Sequence, residues 1–112
     1  MENMEITLPI KAMTVNQCWR GRRYKTKKYE EYERQMNNLL PNNIIINDKH
    51  NLKVDVEFGI SKLMDIDNGL KPLIDILQKK YKFNDRYIME LNIKKTIVKK
   101  TEHFIKVKFE YL

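Results

Sequence analysis

The chain is poor in the residues that form covalent cross-links and thiolate metal sites. Cys18 is its only cysteine, so an internal disulfide is impossible and a cysteine-rich zinc site is excluded. His50 and His103 are its only histidines, and they lack the spacing of a metal-ligand pair. A protein of this composition fits a reducing compartment, and carboxylates remain its candidate metal ligands.

Long apolar segments are also missing. No apolar stretch approaches the roughly 20 residues that a membrane-spanning helix needs. Residues 1–5 are acidic and show no signal-peptide pattern. The sequence contains no internal repeat, low-complexity tract or linker. We therefore expect one domain over residues 1–112, a cytoplasmic location and no association with a membrane.

Negative charge is the scarcer sign. The chain has 22 lysines and arginines against 15 aspartates and glutamates, for a formal net charge of +7. With 42% hydrophobic and 33% charged residues, it is typical of a globular domain and not of a disordered one. The basic excess favours a polyanionic partner, although solubility alone also explains such a charge in many small proteins.

Apolar periodicity predicts four strands and two helices. Strands with apolar residues at every second position are predicted over residues 4–12, 53–60, 87–98 and 104–112. Helical spacing predicts helices over residues 26–40 and 68–80. The order strand, helix, strand, helix, strand, strand indicates a small α+β domain, with two helices packed on a mixed sheet.

Residues between these elements give further expectations. Thr26 is a candidate N-cap of the first helix, and Pro9 is expected at a sheet edge or an irregularity. Residues 14–25, which include Gly21, are predicted to form a loop. Thr101 and Glu102 are expected to turn a hairpin between the last two strands.

The acidic residues gather at one place in this basic chain. Asp65 and Asp67 follow the strongest predicted strand, Asn68 is expected to open a helix, and Asp85 lies beyond that helix. In extended backbone, residues two apart face the same way, so two carboxylates could converge on one ion. Because hard cations such as Mg²⁺ prefer carboxylate oxygens, the pattern indicates a metal centre that acts on a phosphate polymer.

Other interpretations of these residues stay open. The aspartates could merely cap a helix and close turns. Lys71 could donate to a phosphate oxygen during catalysis, or it could form an ordinary ion pair with Asp75 four residues later. An EF-hand is excluded, because Gly69 comes one position too early and Ile76 stands where the loop needs glutamate.

The motif resembles that of the RusA-type Holliday junction resolvases, which are endodeoxyribonucleases of bacteria and their prophages. The family pattern is Asp-x-Asp-Asn, a lysine in the following helix, Asp-x-Leu one turn later and then an acidic pair. The matching run is Asp65-Ile66-Asp67-Asn68-Gly69-Leu70-Lys71-Pro72-Leu73-Ile74-Asp75-Ile76-Leu77, followed by Asn84-Asp85-Arg86-Tyr87-Ile88. Ahead of it, Asn16, a basic stretch ending in Arg23-Tyr24 and a helix also agree with the family.

The resemblance implies a homodimeric, Mg²⁺-dependent enzyme, with Mn²⁺ as a possible substitute. Such an enzyme cuts branched DNA by paired nicks across a four-way junction, and it has no small-molecule substrate. By the same match, Asp65, Asp67 and Asp85 would bind the metal, Lys71 would be the catalytic lysine and Asp75 would orient it.

Two departures from the family pattern are visible. The acidic pair is reduced to Asn84-Asp85, so the ligand role falls to Asp85 and Asn84 is expected in a turn or a polar contact. The arginine-rich run that often precedes Asp-x-Asp is represented by Lys62 alone.

Candidate DNA contacts are concentrated in the N-terminal basic stretch. The densest candidate cluster is Arg20, Arg22, Arg23, Lys25, Lys27 and Lys28. We assign DNA binding to Asn16, Arg20, Arg22, Arg23 and Lys25. Trp19 and Tyr24 lie among them and could stack on unpaired bases near a branch point, or they could belong to the core. A second basic zone, Lys94, Lys95, Lys99 and Lys100, could instead be a charged edge that prevents aggregation.

The sequence therefore predicts an endodeoxyribonuclease. The main alternative is a phage DNA-binding or DNA-packaging accessory protein that has the same fold without the chemistry. An RNA-binding module is weaker, because the chain shows no RRM or KH signature.

Overall fold

The computed structural model describes residues 4–14, 17–20, 24–47 and 49–112, within which six strands and two helices follow one another. A 3₁₀ helix, Asp85–Tyr87, precedes the fifth strand. The other elements are β1 Met4–Leu8, β2 Trp19–Arg20, β3 Tyr24–Lys25, α1 Lys27–Leu39, β4 Leu52–Ile60, α2 Leu70–Tyr81, β5 Ile88–Ile97 and β6 Phe104–Tyr111.

Four strands form a mixed sheet in the order β1-β6-β4-β5, with β4 inside it. β4 pairs parallel to β5 and antiparallel to β6, and β6 pairs antiparallel to β1. The predicted α+β domain with a mixed sheet and two helices is confirmed. Pro9 directly follows β1, which is an edge strand, as expected.

The predicted hairpin between β5 and β6 is wrong, because β4 lies between these two strands. β4 is the most buried strand of this sheet, and Leu52, Val54, Val56, Phe58 and Ile60 are all buried. An edge position would leave one side of this strand unpaired, whereas the central position pairs both of its sides. The β4 side chains thus decide which strands are neighbours, although the turn at Thr101 suggested another pairing.

The loop predicted over residues 14–25 contains two short strands. β2 and β3 pair antiparallel, with Trp19 opposite Lys25 and Arg20 opposite Tyr24. Two-residue strands are too short to show an alternating pattern in the sequence, so periodicity could not reveal them.

α1 begins and buries its apolar face as predicted. The Thr26 hydroxyl accepts a hydrogen bond from the Tyr29 backbone N–H at 3.1 Å, which caps the helix. Tyr29, Tyr32 and Met36 are buried at helical spacing. Pro41 follows the C-cap Leu40 and cannot continue the helix.

α2 starts two residues later than predicted, because Asn68 and Gly69 belong to a turn. Pro72 lies in its first turn, where no intrahelical N–H is required. The helix ends at Lys82, which adopts the left-handed conformation with φ 58°. α2 thereby crosses from the end of β4 to the start of β5, and it buries Leu73 and Leu77 in the core.

One continuous core joins the sheet to both helices. Cys18 lies in this core fully buried, and burial raises the pKa of its thiol to about 11. The opposite face of the sheet is polar, and its side chains pair across strands: Asn92 donates to Asp55 at 2.8 Å and Thr96 to Glu57 at 2.6 Å. Within the described ranges, no helix is long and apolar enough to cross a membrane.

Gly59 gives a test of this sheet. It pairs with Phe104, whose ring covers the space that a Cβ on Gly59 would occupy. We expect Gly59→Ala to lower the free energy of unfolding by about 1–3 kcal/mol, because the ring must move and lose its packing. Urea denaturation measures this change.

A double-mutant cycle separates ring displacement from a backbone effect. In a Phe104→Ala background, Gly59→Ala should cost much less than it does in the wild type. An equal cost in both backgrounds would show that the ring is not the obstacle.

Candidate active site

The acidic motif forms a turn between β4 and α2. The Asn68 N–H donates to the Asp65 carbonyl at 3.1 Å, and the Leu70 N–H donates to the Asp67 carbonyl at 3.1 Å. The expectation that Asp65 and Asp67 face the same way because the backbone is extended is therefore wrong at this segment. Both side chains are exposed. Gly69 closes the turn where the backbone approaches Ala12 and Phe58, which lie 3.3 Å from the position of an added Cβ.

A groove between α2 and β5 brings together three of the predicted site residues. Asp67, Lys71 and Asp85 line this α2–β5 groove, whose volume is about 460 Å³. Its remaining walls are mostly apolar, and they are formed by Leu70, Ile74, Ile88, Met89 and Leu91. Asp65 is not among the lining residues.

Two hydrogen bonds hold the backbone at Asp85 and at its neighbour Arg86. The Asp85 N–H donates to the Gln78 side-chain carbonyl at 2.8 Å. The Asn84 side chain accepts from the Arg86 N–H at 3.0 Å and caps the 3₁₀ helix, in agreement with a turn role for Asn84. Sequence reasoning missed Gln78, although it lies seven residues after Lys71 and hence two turns along the same face of α2.

Lys71 binds Asp75. The ammonium donates to a carboxylate oxygen of Asp75 at 2.9 Å, while 66% of the Lys71 side chain stays exposed. This hydrogen bond is the main cause that raises the pKa of Lys71, and the charge of Asp85 adds to it. The ion pair considered from the sequence exists, and it holds a protonated amine at the groove.

The two acids of the groove come from segments that precede and follow α2. Asp67 precedes the first turn of α2, whereas Asp85 is tied to Gln78 in a later turn. The eight residues from Leu70 to Gln78 rise about 12 Å along the helix. Among the residues that the structure describes, no three histidines, cysteines or acids are placed to hold one ion. The described part of the chain therefore shows no three-acid cluster, and the metal-ligand roles of Asp65, Asp67 and Asp85 stay a prediction.

The donor chemistry nevertheless suits a hard cation. Asp67 and Asp85 present exposed carboxylates beside a groove, and Mg²⁺ binds through one or two carboxylates while it keeps several waters. Asp67 and Asp85 offer one such carboxylate each, and further oxygen ligands would complete a site.

Of the residues assigned to DNA binding, three lie outside the described ranges: Asn16, Arg22 and Arg23. Arg20 belongs to β2. Lys25 donates to both carboxylate oxygens of Glu33 at 2.9 and 3.2 Å, which raises the pKa of Lys25. Lys79 of α2 donates to the same carboxylate at 3.3 Å. Lys25 therefore has a structural partner that joins β3 to both helices.

The aromatic residues of this region are exposed. Tyr24 is 68% exposed and Trp19 is 41% exposed, so the alternative that both are core residues is wrong. Trp19 packs edge-on against Tyr29 with ring centroids 5.8 Å apart. β2 and β3 thus form a hairpin with two exposed aromatic rings. Its Trp19 ring contacts Tyr29 of α1.

One lysine of the second basic zone has a hydrogen-bond partner within the chain. The Lys95 ammonium donates to the Met64 carbonyl at 2.6 Å, next to the acidic turn. Lys94, Lys99 and Lys100 are exposed.

One family of known proteins matches the chain. The family model described as Endodeoxyribonuclease RusA matches residues 9–108, which include the acidic turn, α2 and Asp85. A search of curated proteins finds no match. Because the family match extends over most of the sequence, the chain belongs to the RusA endodeoxyribonuclease family.

Proposed function

We propose that the chain is a Mg²⁺-dependent endonuclease that resolves four-way DNA junctions by paired nicks. Membership of the RusA family implies Holliday junction resolvase activity at the family level. The observation that supports the finer assignment is the α2–β5 groove, in which Asp67, Lys71 and Asp85 line one surface. We place the protein in the bacterial cytoplasm, where it meets recombining chromosomal or prophage DNA.

The carboxylates would hold the metal and the lysine would meet the phosphate. Nucleases of this family depend on a metal ion. Bound Mg²⁺, or Mn²⁺ in its place, supplies an activated water and neutralises phosphate charge. Asp67 and Asp85 provide its oxygen ligands, and we also retain Asp65 as a ligand from the resemblance. Lys71 donates to a phosphate oxygen as negative charge develops there.

Asp75 keeps Lys71 ready for this task. Its carboxylate accepts from the ammonium and raises the pKa of Lys71, so the amine stays protonated in neutral solution. Because the side chain is mostly exposed, it can leave Asp75 for a phosphate of the bound strand.

A second copy of the chain would complete the metal site. β5 is an edge strand, and it exposes Met89, Leu91 and Ile97, which are 55%, 40% and 57% exposed. Leu91 and Ile97 pair with Val54 and Ile60, so both lie on the apolar face of the sheet. A two-fold dimer over this surface would bury these side chains, and the same contact would occur on both partners.

Such a dimer would bring together acids that the described part of one chain does not gather around one ion. In an isologous contact, the start of one groove can face the end of the other. Asp85 of one copy would then stand near Asp67 of the other, and the dimer would contain two equal sites. Two equal sites are the arrangement that paired nicks require.

The β2–β3 hairpin would bind the branch point. Arg20 and Tyr24 pair within it, and Tyr24 and Trp19 expose rings that can stack on unpaired bases. The contact of Lys25 with Glu33 fixes the base of the hairpin on α1.

One observation favours the alternative function, a DNA-binding or packaging accessory protein of a phage. The described part of a single chain gathers no three acids around one ion. Binding of a four-way junction without metal-dependent cutting would support that function over the nuclease.

Subunit mixing tests the shared site. Asp67→Asn and Asp85→Asn should each bind a synthetic four-way junction and fail to cut it in Mg²⁺. A mixed dimer of the two variants contains one site with both acids intact, if each site takes its acids from different copies. We therefore expect mixing to restore nicking of labelled junction strands, measured on denaturing gels.

The control is Asp67→Asn alone at the total protein concentration of the mixture, which should stay inactive. If the site lies within one chain, the mixed dimer has no intact site and stays inactive too. Parental cutting by either single variant would overturn the assignment of its carboxylate.

The pH dependence of cutting tests Lys71 and Asp75. The protonated amine is the active form, so activity should fall on the alkaline side as the pH passes the pKa of Lys71. Asp75 raises this pKa, so Asp75→Asn should move the alkaline limb of the rate profile to lower pH. Lys71→Ala should abolish the limb together with most of the activity, and an unchanged limb in Asp75→Asn would contradict the assigned role.

Light scattering tests the dimer surface. Ile97→Asp places a charge within the apolar β5 surface and should shift the wild-type dimer toward monomer, with a loss of paired nicks. Ile45→Asp is the matched control, because Ile45 is 84% exposed and belongs to the segment between α1 and β4. A monomeric wild-type protein, or equal effects of both variants, would contradict this interface.

A further inference from the structure

Two exposed aliphatic side chains lie on either side of Asp65 at the acidic turn. Leu63 precedes Asp65 by two residues and is 81% exposed, and Ile66 follows it directly and is 44% exposed. We call Leu63 and Ile66 the apolar tip. Isolated aliphatic side chains are common on protein surfaces, so exposure alone does not indicate a partner. What requires an explanation is the place of this pair, beside carboxylates that the proposed function uses.

The backbone that carries the apolar tip is held on both sides of Asp65. The Lys95 ammonium of β5 donates to the Met64 carbonyl at 2.6 Å, and the Asn68 N–H donates to the Asp65 carbonyl at 3.1 Å. The Met64 methyl carbon lies 3.2 Å from the position of a Cβ added to Gly69, and its side chain packs against the core. Met64 therefore anchors the segment, while the two side chains of the tip stay in solvent.

The charge of this segment gives it no net attraction for phosphate. Residues 61–67 contain one basic residue, Lys62, and two acids, Asp65 and Asp67. Attraction to the DNA backbone depends on lysine and arginine, so the segment itself does not supply it. Aliphatic side chains can still gain free energy from DNA through the bases, because their insertion between base steps removes apolar surface from water.

A nucleobase suits the apolar tip better than the surface of another protein. Asp65 and Asp67 are both exposed beside it. A protein surface closed over the tip would also bury these carboxylates, which is costly unless a positive charge is buried with them. A base is a flat ring with an apolar face, so it can cover two aliphatic side chains and leave the neighbouring carboxylates open to water.

We propose that the apolar tip is a wedge that enters the branch point of the DNA substrate and unstacks a base step beside the site of cutting. Unstacking costs free energy in a continuous duplex and less at a branch point, where stacking is already interrupted. Leu63 and Ile66 therefore favour branched DNA over linear duplex and determine specificity. This inference rests on the proposed function, because it assigns a further contact of the same substrate.

The fluorescence of 2-aminopurine measures the unstacking. This base is quenched while it is stacked, and EDTA prevents metal-dependent cutting. With 2-aminopurine at the branch point of a synthetic four-way junction, saturating wild-type protein should raise the emission severalfold. Leu63→Ser/Ile66→Thr should lose most of this increase. Leu39→Ser/Ile45→Thr is the matched control, because Leu39 and Ile45 are 41% and 84% exposed, and it should keep the increase. No increase with the wild type, or the same increase with both double variants, would overturn the wedge.

Binding selectivity gives a second readout. Fluorescence anisotropy gives the Kd for the junction and for a linear duplex of equal length at several salt concentrations. Leu63→Ser/Ile66→Thr should reduce the preference for the junction about tenfold and leave the slope of log K against log salt unchanged, because it removes no phosphate contact. Leu63→Met/Ile66→Val stays apolar and should keep the preference. A changed slope, or an equal loss in the apolar variant, would contradict an apolar wedge.

Light scattering tests whether copies of the chain bury the apolar tip between them. Leu63→Ser/Ile66→Thr should keep the mass of the wild type, and a shift to monomer would assign the tip to a contact between copies and overturn the wedge. Cutting assays in Mg²⁺ keep this inference apart from the proposed function. A wild type that cuts the junction without raising the 2-aminopurine emission overturns the wedge alone, whereas unstacking without cutting overturns the nuclease alone.

Discussion

The parallel pairing of β4 with β5 is the constraint on which the rest of the molecule depends. Parallel neighbours cannot be joined by a tight turn, so the chain must cross the sheet before β5 begins. α2 makes that crossing, from the C-terminal end of β4 to the N-terminal end of β5. The acidic turn stands before the crossing and Asp85 stands after it. The topology therefore brings Asp67 and Asp85 to the groove from opposite ends of α2.

This constraint explains which parts of the fold the sequence reveals. Apolar periodicity reports whether a residue is buried, and it located both helices and the long strands within two or three residues at most ends. It does not report which strand lies beside which. The place of β4 between β5 and β6 was therefore visible only in the structure. The short strands β2 and β3 gave no period at all, because two residues each are too few to alternate.

The candidate site was predictable at the level of residue types and less so in geometry. The carboxylates, Lys71 and Asp75 were assigned from spacing and resemblance, and three of the residues line one groove. Their arrangement could not be predicted, because the turn at Asn68 replaced the extended backbone that was assumed. Gln78 was hidden for another reason: it acts on the backbone of Asp85, and such contacts leave no compositional trace.

Basic residues in this chain serve two purposes that composition cannot separate. Lys25 and Lys79 share Glu33, and Lys95 binds a backbone carbonyl, so part of the positive charge holds the fold together. Lys27 and Lys28, at the start of α1, are exposed to solvent. The distinction between these groups is visible only from their partners.

The burial of Cys18 has a practical consequence. Its thiol is inaccessible, and its high pKa leaves almost no reactive thiolate at neutral pH. The native protein therefore offers no competing site to maleimide reagents while it stays folded. A single cysteine engineered on β5 or on the β2–β3 hairpin could carry a spin label or a fluorophore without first removing the natural one. Distances between labels would then map directly how copies of the chain and arms of a junction are arranged.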